Sequence, residues 1–504
     1  MGALEQAARE LASALHSAGL TADGVARHLG PAATAALYRG EPGVVLAACD
    51  DSALSRLIRI FLVREPTPRP ALEDVLSPAL VQLLIDARVL SPAASPDTFS
   101  VALDVRPHVL AGRDFFVISD LDASMTDYVP GLDHVLGVGA ASLSLLQATP
   151  TSPAERVLDL GTGSGVQALA QSGCAQQVVA TDVHPRALDL ARATLAANGV
   201  ENVELREGPW FAPVAGERFD RIVANPPFVV GPAEVGHVYR DSGLELDGAS
   251  ELVASQAADH LTEGGTACIL GAWAHTRGQS WRQRVASWLP AQGVSAWVLQ
   301  RDVVDPGQYV STWLRDESID VRSPESIART QRWLEYFRAH EVEQIGFGWI
   351  FLREIGDHAS EITAEALSHP FDDPLGPEVE EYFTRAEWLR NSDADAVLDA
   401  SYTVRPGVAL EEVSLADTET GMGFAPEVTR ITRTDGPRFS HEIDAAVRSL
   451  LAGLHPQGLS LRDVVGLLAA SQSIGDVGEL EASAVRIVVD LVRHGVVLPA
   501  DIVA

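Results

Sequence analysis

Val157-Leu158-Asp159-Leu160-Gly161-Thr162-Gly163-Ser164-Gly165 reads as a buried strand that turns sharply on glycines into a helix. Its largely apolar start suits a strand in a parallel sheet. The glycines let the backbone approach a ligand closely, and the helix beyond them points amide N–H groups at whatever sits there. Alone, such a turn indicates only a nucleotide-like ligand on an α/β sheet.

Three further stretches narrow the reading. Gln177-Val178-Val179-Ala180-Thr181-Asp182 is a second apolar strand, and it ends in an acid suited to the two hydroxyls of a ribose. Val203-Glu204-Leu205-Arg206-Glu207-Gly208 is a third and stops at a glycine. Phe219 to Ala224 is a fourth, running into Asn225-Pro226-Pro227-Phe228, a turn stiffened by two prolines. In order and spacing these segments resemble the class I S-adenosylmethionine (SAM)-dependent methyltransferases of the subgroup whose fourth strand ends in Asn/Asp-Pro-Pro-aromatic. The subgroup takes in methyltransferase small domains, release-factor glutamine methyltransferases and the amino-methyltransferases of rRNA and DNA. The resemblance covers roughly residues 100–356.

It implies an α/β fold: a Rossmann-like, seven-stranded methyltransferase sheet within residues 96–356. It also implies roles. Gly161, Thr162, Gly163 and Gly165 would lie beneath the amino-acid and ribose portions of SAM, with Asp159 anchoring the loop. Asp182 would accept from the ribose hydroxyls, beside Val183. Gly208 and Trp210 would border the adenine; Pro209 stands where the family usually has an acid, which leaves stacking on Trp210 and backbone groups. At Asn225-Pro226-Pro227-Phe228, the Asn225 side-chain oxygen and the Pro226 carbonyl would grip both N–H bonds of a planar NH2 group, with the Phe228 ring as a flat face. A plain turn at the prolines and a helix cap at Asp182 are the bland alternatives. His237, Tyr239, Arg240 and Asp241 follow in a loop that is read as a lid, placed to gate the pocket.

Composition sets outer limits. A chain of 504 residues, 46% of them hydrophobic, buries a large core and has room for about two to four domains. A net charge of −32 argues against non-specific polyanion binding. There is no lysine, which excludes Schiff-base lysine chemistry and a lysine phosphate clamp. Cys49, Cys174 and Cys268 are too scattered for a disulfide framework or a zinc site, and the histidines stand singly, so no metal is expected. The acid-bearing start is unlike a signal run, and no apolar stretch is long enough for a bilayer; a cytoplasmic protein without membrane contact is the expectation.

Outside the core, Leu4, Ala8, Leu11 and Leu15 share a helical face, and helices are expected near 22–38, 52–63 and 72–88. Residues 1–95 are read as a helical, winged-helix-like module that caps the sheet, builds a dimer or docks substrate. Two strand-like runs from Thr98 and from Asp114 flank Gly112 and predict a hairpin. Val135 to Ser142, with Gly137 and Gly139, sits where the family covers the methionine end of SAM. From 357 to 504 the chain reads as an acidic α+β module: acids far outnumber Arg385, Arg390 and Arg405 through residue 420, then come helices at 441–452, 461–470 and 479–493 and a wing-like strand at Gly495–Pro499.

Two acceptor classes fit the elbow: the side-chain amide of a protein glutamine, towards which the overall acidity leans, and an exocyclic amine of adenine or guanine in rRNA, tRNA or DNA. A mildly basic stretch, 277–338, with Trp273, Trp281, Trp288, Trp297 and Trp313, offers a nucleic-acid track or, more ordinarily, buried rings and solvated arginines. A non-catalytic SAM-binding adaptor is the reading from another class.

Overall fold

A computed structural model describes residues 2–126, 131, 133–233, 242–316, 320–370, 374–472 and 476–502. Contacts divide the chain into two units, Met1–Leu146 with Thr151–Glu365 and Gln147–Pro150 with Ala366–Ala504.

In the first unit, α1 (Ala3–Ser17) buries Ala7, Ala8, Leu11, Ala12 and Leu15 along one face. The next helix bends at Gly30-Pro31, where Gly30 takes φ 72, ψ 170 and the proline removes a donor. Residues 72–88, expected as one helix, form two (Arg69–Val75 and Pro78–Asp86), because Ser77 caps a new start at Pro78. Thr98–Val101 joins Thr67–Pro68 and Leu90–Pro92 in a small antiparallel sheet. The hairpin consists of β1 (Asp104–Leu110) and β2 (Arg113–Ser119), turning on Ala111 and Gly112, both at positive φ.

The central sheet follows from the alternation of apolar strands and helices. After α2 (Ala140–Ala148) come β3 (Ala154–Leu160), α3 (Val166–Gln171), β4 (Ala175–Asp182), α4 (Pro185–Ala197), β5 (Val203–Glu207), β6 (Phe219–Ala224), α5 (Gly248–Ala257) and β7 (Leu261–Thr276). Then come β8 (Gln292–Val304), the helices α6 (Pro306–Asp316) and α7 (Pro324–Ala339), β9 (Val342–Ala359) and β10 (Glu361–Ala366). The spatial order is β10-β8-β9-β7-β6-β3-β4-β5. Pairing is parallel from β5 through β4, β3 and β6 to β7 and antiparallel where β9 meets β7 and β8. This is the doubly wound arrangement the segments imply, with the strand order reversing at β3 and β6.

The sheet has eight strands rather than seven. The additional one, β10, lies in the stretch read as the start of the acidic module. Its alternation explains it: Ile362 and Ala364 pack against the apolar cluster of Phe219, Trp281 and Trp288, and Glu365 accepts from the Trp297 indole at 3.2 Å. The N-terminal helices share one core with the sheet's own helix, since Ala187, Leu190 and Ala193 of α4 belong to the cluster of Leu11, Leu15 and Phe61.

The second unit holds helices Gly376–Arg390, Ala445–Ala452, Leu461–Gln472 and Val477–Arg493, with a sheet of Val408–Ala416, Phe424–Arg433 and Ser440–Glu442. His441, expected in a helix, is in that last strand; Asp444 caps the helix instead. The closing strand Val497–Pro499 pairs with Tyr402–Val404. Glu378, Arg385 and Arg433 are buried here as one ionic cluster. Among the described residues no helix is long and apolar enough to cross a membrane.

Candidate functional site

The ends of β3, β4, β5 and β6 open on one cavity of about 470 Å3. The glycine turn forms its floor. Gly161, Gly163 and Gly165 have φ of 76°, 54° and 89°, a region that residues with a Cβ enter at a cost. Around Gly161 and Gly163 a Cβ would meet nothing within 4 Å, so the backbone there faces open space; at Gly165 it would touch Ala191 at 3.4 Å, where α3 and α4 close on each other.

Two carboxylates shape the turn. Asp159 Oδ2 accepts from Thr162 Oγ1 at 2.6 Å and from the Ala168 amide at 2.9 Å. Burial pushes its carboxyl up to about 7, against the pull of those two bonds and with a further push from Asp182. Asp182 bridges two loops: its Oδ2 accepts from the Gly163 amide and its Oδ1 from the His184 amide, both at 2.9 Å. Burial raises this carboxyl as well, opposed by those amides. The helix cap weighed for Asp182 is not formed, since His184 occupies that position. Each carboxylate oxygen retains acceptor capacity for a ligand hydroxyl.

Val183, 53% exposed, and Trp210 line the cavity from neighbouring strand ends, as do Gly208 and Pro209. Trp210 has φ 50°, a left-handed backbone uncommon for a bulky residue, and strain of this kind concentrates at ligand sites. Gly208 is tied by its amide to the Asp182 carbonyl at 3.0 Å.

The opposite wall is the segment Val135–Ser142. Asp120, at the end of the β1–β2 hairpin, accepts from the Val135 amide at 2.9 Å and is ion-paired with Arg186. Ser164 Oγ donates to the Leu136 carbonyl at 2.8 Å, and Gln167 Nε2 to the Ser142 carbonyl at 2.9 Å. The segment is therefore fastened to the helix that leaves the glycine turn.

Asn225, Pro226 and Pro227 enter the same cavity from the end of β6. Asn225 Nδ2 lies 3.5 Å from Ser142 Oγ, a long contact. Its Oδ1 has no partner among the described residues. Phe228 does not line the cavity; it is partly buried with Val229, Val230, Tyr309 and Trp333, an apolar cluster that takes the ring the sequence reading offered to a ligand. The loop residues His237, Tyr239, Arg240 and Asp241 lie outside the described residues.

The arrangement suits a cofactor with a cationic amino-acid end, a diol and a flat base. Among the described residues, Asp159 Oδ1 and Gln167 Oε1 are buried acceptors without partners; Gln167 lines the cavity, where a donor such as an ammonium would satisfy it, whereas Asp159 is buried outside the lining and holds the turn. Asp182 offers carboxylate oxygens that a diol could donate to, and Val183 and Trp210 offer apolar faces to a ring. No group of metal-ligating side chains occurs among the described residues.

Residues 136–276 match the sequence family described as Methyltransferase small domain. This stretch is a methyltransferase domain. Stretches 17–101 and 380–499 match two families described as domains of unknown function. The chain is 37% identical over 145 residues to the release factor glutamine methyltransferase of Xylella fastidiosa (strain 9a5c), covering 27% of this chain and 51% of that one. With the ribosomal RNA small subunit methyltransferase C of Salmonella choleraesuis it shares 34% over 148 residues, 29% of this chain and 40% of that one. The chain thus spans about half the length of the curated relatives it matches. Among solved structures, a 16S rRNA N2 G1207 methyltransferase of T. thermophilus, in complex with AdoMet and guanosine, is 19% identical, covering 42% of this chain and 56% of that one with a TM-score of 0.28.

In the methyltransferase domain, the sequence reading assigned no site role to Ser164, Gln167 and His184, which line the cavity together with Ser142 at the end of the covering segment. Gln167 carried a signal: it is a polar residue on a helix whose every position is buried. The more ordinary reading of the tryptophans is the one seen: Trp273, Trp281, Trp288 and Trp297 are core residues, Trp273 and Trp281 stacked at 5.6 Å, and Trp313 is partly buried in the cluster of Tyr309 and Trp333.

Proposed function

We propose that this chain is a SAM-dependent N-methyltransferase acting on a planar amide or amino nitrogen of a macromolecule. The observation that carries the reading is that the glycine turn and Asn225-Pro226-Pro227 open on one cavity. Gly161, Thr162, Gly163 and Gly165 would cradle SAM, with Asp159 and Gln167 towards its amino-acid end, Asp182 on the ribose and Val183, Gly208 and Trp210 around the adenine. When bound, SAM supplies a methyl group carried on a cationic sulfur.

Amide nitrogen is a poor nucleophile because its lone pair is delocalised. Asn225 Oδ1 and the Pro226 carbonyl, gripping both N–H bonds, aim that nitrogen and favour positive charge on it as the new bond forms. The proton leaves afterwards, so no general base is required early. The contribution is mainly orientation, a class of effect worth up to about 7–11 kcal/mol in near-attack geometry. Pro226 and Pro227 hold the turn rigid, and Phe228 anchors it in the apolar cluster.

A protein glutamine is the favoured acceptor. The net charge of −32 and a cavity lining without arginine among the described residues offer a polyanion little. An exocyclic amine of adenine or guanine is the second reading, supported by the similarity to a ribosomal RNA methyltransferase. The test is transfer of labelled methyl from SAM to release factors and to ribosomal RNA, by wild type and Asn225→Ala. Wild-type labelling of one acceptor with a loss of about a hundredfold or more in the variant supports the reading. Equal transfer by both proteins removes Asn225 from the chemistry. SAM binding with no transfer to any acceptor favours a non-catalytic adaptor.

A further inference from the structure

The chain beyond the elbow is braced by the insertion between β8 and β9. Tyr309, on α6 and 1% exposed, accepts a hydrogen bond from the Val230 amide at 2.7 Å. Val230 is itself buried, so this amide has no water to turn to. One residue on, Gly231 lies against the Trp333 ring of α7: a Cβ there would stand 2.8 Å from its Cη2 and Cζ3. Gly231 and Leu246 exchange backbone bonds of 3.3 and 2.8 Å, and the Leu246 amide also reaches the Tyr336 hydroxyl at 3.3 Å. Leu246 holds φ 50°, a backbone a leucine keeps only where its surroundings impose it. Three aromatic residues of one insertion thus fix residues 230–231 and 246.

We propose that Tyr309 is a positioning residue for the methyl acceptor: through Val230 it sets where the Asn225-Pro226-Pro227 elbow stands relative to the glycine turn. This rests on the reading of the preceding subsection. The link from Val230 back to Asn225 is stiff, because Pro226 and Pro227 have fixed φ and Phe228 and Val229 are packed in the same cluster as Tyr309. A shift at Val230 is therefore passed on rather than absorbed. The glycine turn follows β3, and no residue of α6 is among those lining the cavity, so the cofactor side is expected to stay as it is.

Tyr309→Phe removes one oxygen and keeps the ring with its edge contacts to Trp313 and Phe337. The expected result is a kcat for methyl transfer lowered about tenfold to a hundredfold, with the Kd for SAM by calorimetry within about twofold of wild type. Hydrogen exchange of the peptide spanning residues 226–233 should accelerate, while that of β3 and β4 does not. Gly231→Ala, which drives a methyl group into the Trp333 ring, should give the same pattern from the other side of the brace. Unchanged kcat and unchanged exchange in Tyr309→Phe would overturn the proposal, as would a matching loss of SAM affinity, which marks general destabilisation. If the wild type transfers no methyl group at all, the preceding reading fails, and the local exchange difference still decides whether Tyr309 braces the elbow.

Discussion

At the scale of the residue, Asp159 shows how burial and function pull against each other. Its carboxyl is pushed up to about 7 by burial although Thr162 and Ala168 donate to it. A carboxylic acid whose folded pKa exceeds its unfolded value, about 3.9, stabilises the fold fully below that lower value. The contribution is lost as pH rises through about 7. Asp159→Asn should therefore flatten the fall of melting temperature with pH between about 4 and 7; an unchanged slope would show that Asp159 does not titrate there. The residue types at this site were legible in the sequence, but their partners were not. Asp182 reads as a diol acceptor, yet bonds to Gly163 and His184 can only be seen once two loops are folded together. Phe228 reads as a flat face for a ligand because the helix read at 325–340 carries no sign in the sequence of what it packs on; folded, α6 and α7 share with Phe228 the cluster that partly buries its ring.

At the scale of the element, the glycine turn does two jobs. It gives the ligand a bare backbone, and at Gly165 it lets α3 approach α4, where Ala191 would meet a new Cβ at 3.4 Å. Gly165→Ala should cost about 1–2 kcal/mol, seen as a lowered denaturant midpoint, because L-residues resist the left-handed backbone. Stability equal to wild type would mean that the turn relaxes to another conformation. The core strands were legible because apolar runs alternate with helical periodicity; of the hairpin, the turn at Gly112 and the arm from Asp114 were legible, but the run from Thr98 pairs in another sheet and Asp104–Leu110 is the first arm. β10 was missed for a physical reason: its glutamates hid the two-residue alternation that puts Ile362 and Ala364 on the core. The split at Ser77-Pro78 is a helix start that hydropathy smooths over.

At the scale of the whole molecule, composition misleads when it is averaged. The acidic stretch after residue 357 is not only solvated surface: Glu378 is buried between Arg385 and Arg433, with contacts of 2.6, 2.9 and 2.8 Å. Burial alone would raise its carboxyl, but the two guanidiniums lower it to about 2. That stability is present above the unfolded value of about 4.3 and lost as pH falls through about 2. Glu378→Gln leaves two buried cations underneutralised and should destabilise the second unit by about 3–5 kcal/mol in chemical denaturation; a change below about 1 kcal/mol would mean that water reaches the arginines. The charge of −32 also separates the two acceptor readings. With a basic protein acceptor, kcat/KM should rise about tenfold as salt is lowered, and with an RNA acceptor it should fall.

The central claim is that a SAM-type ligand lies on the glycine turn with the proline-stiffened elbow facing its reactive end. A crystal structure of the chain grown with S-adenosylhomocysteine tests this most directly. The account predicts the ligand in the cavity of the β3–β6 strand ends, its ribose on Asp182 and its sulfur facing Asn225. A ligand bound elsewhere, or an Asn225 side chain turned out of that cavity, would contradict it.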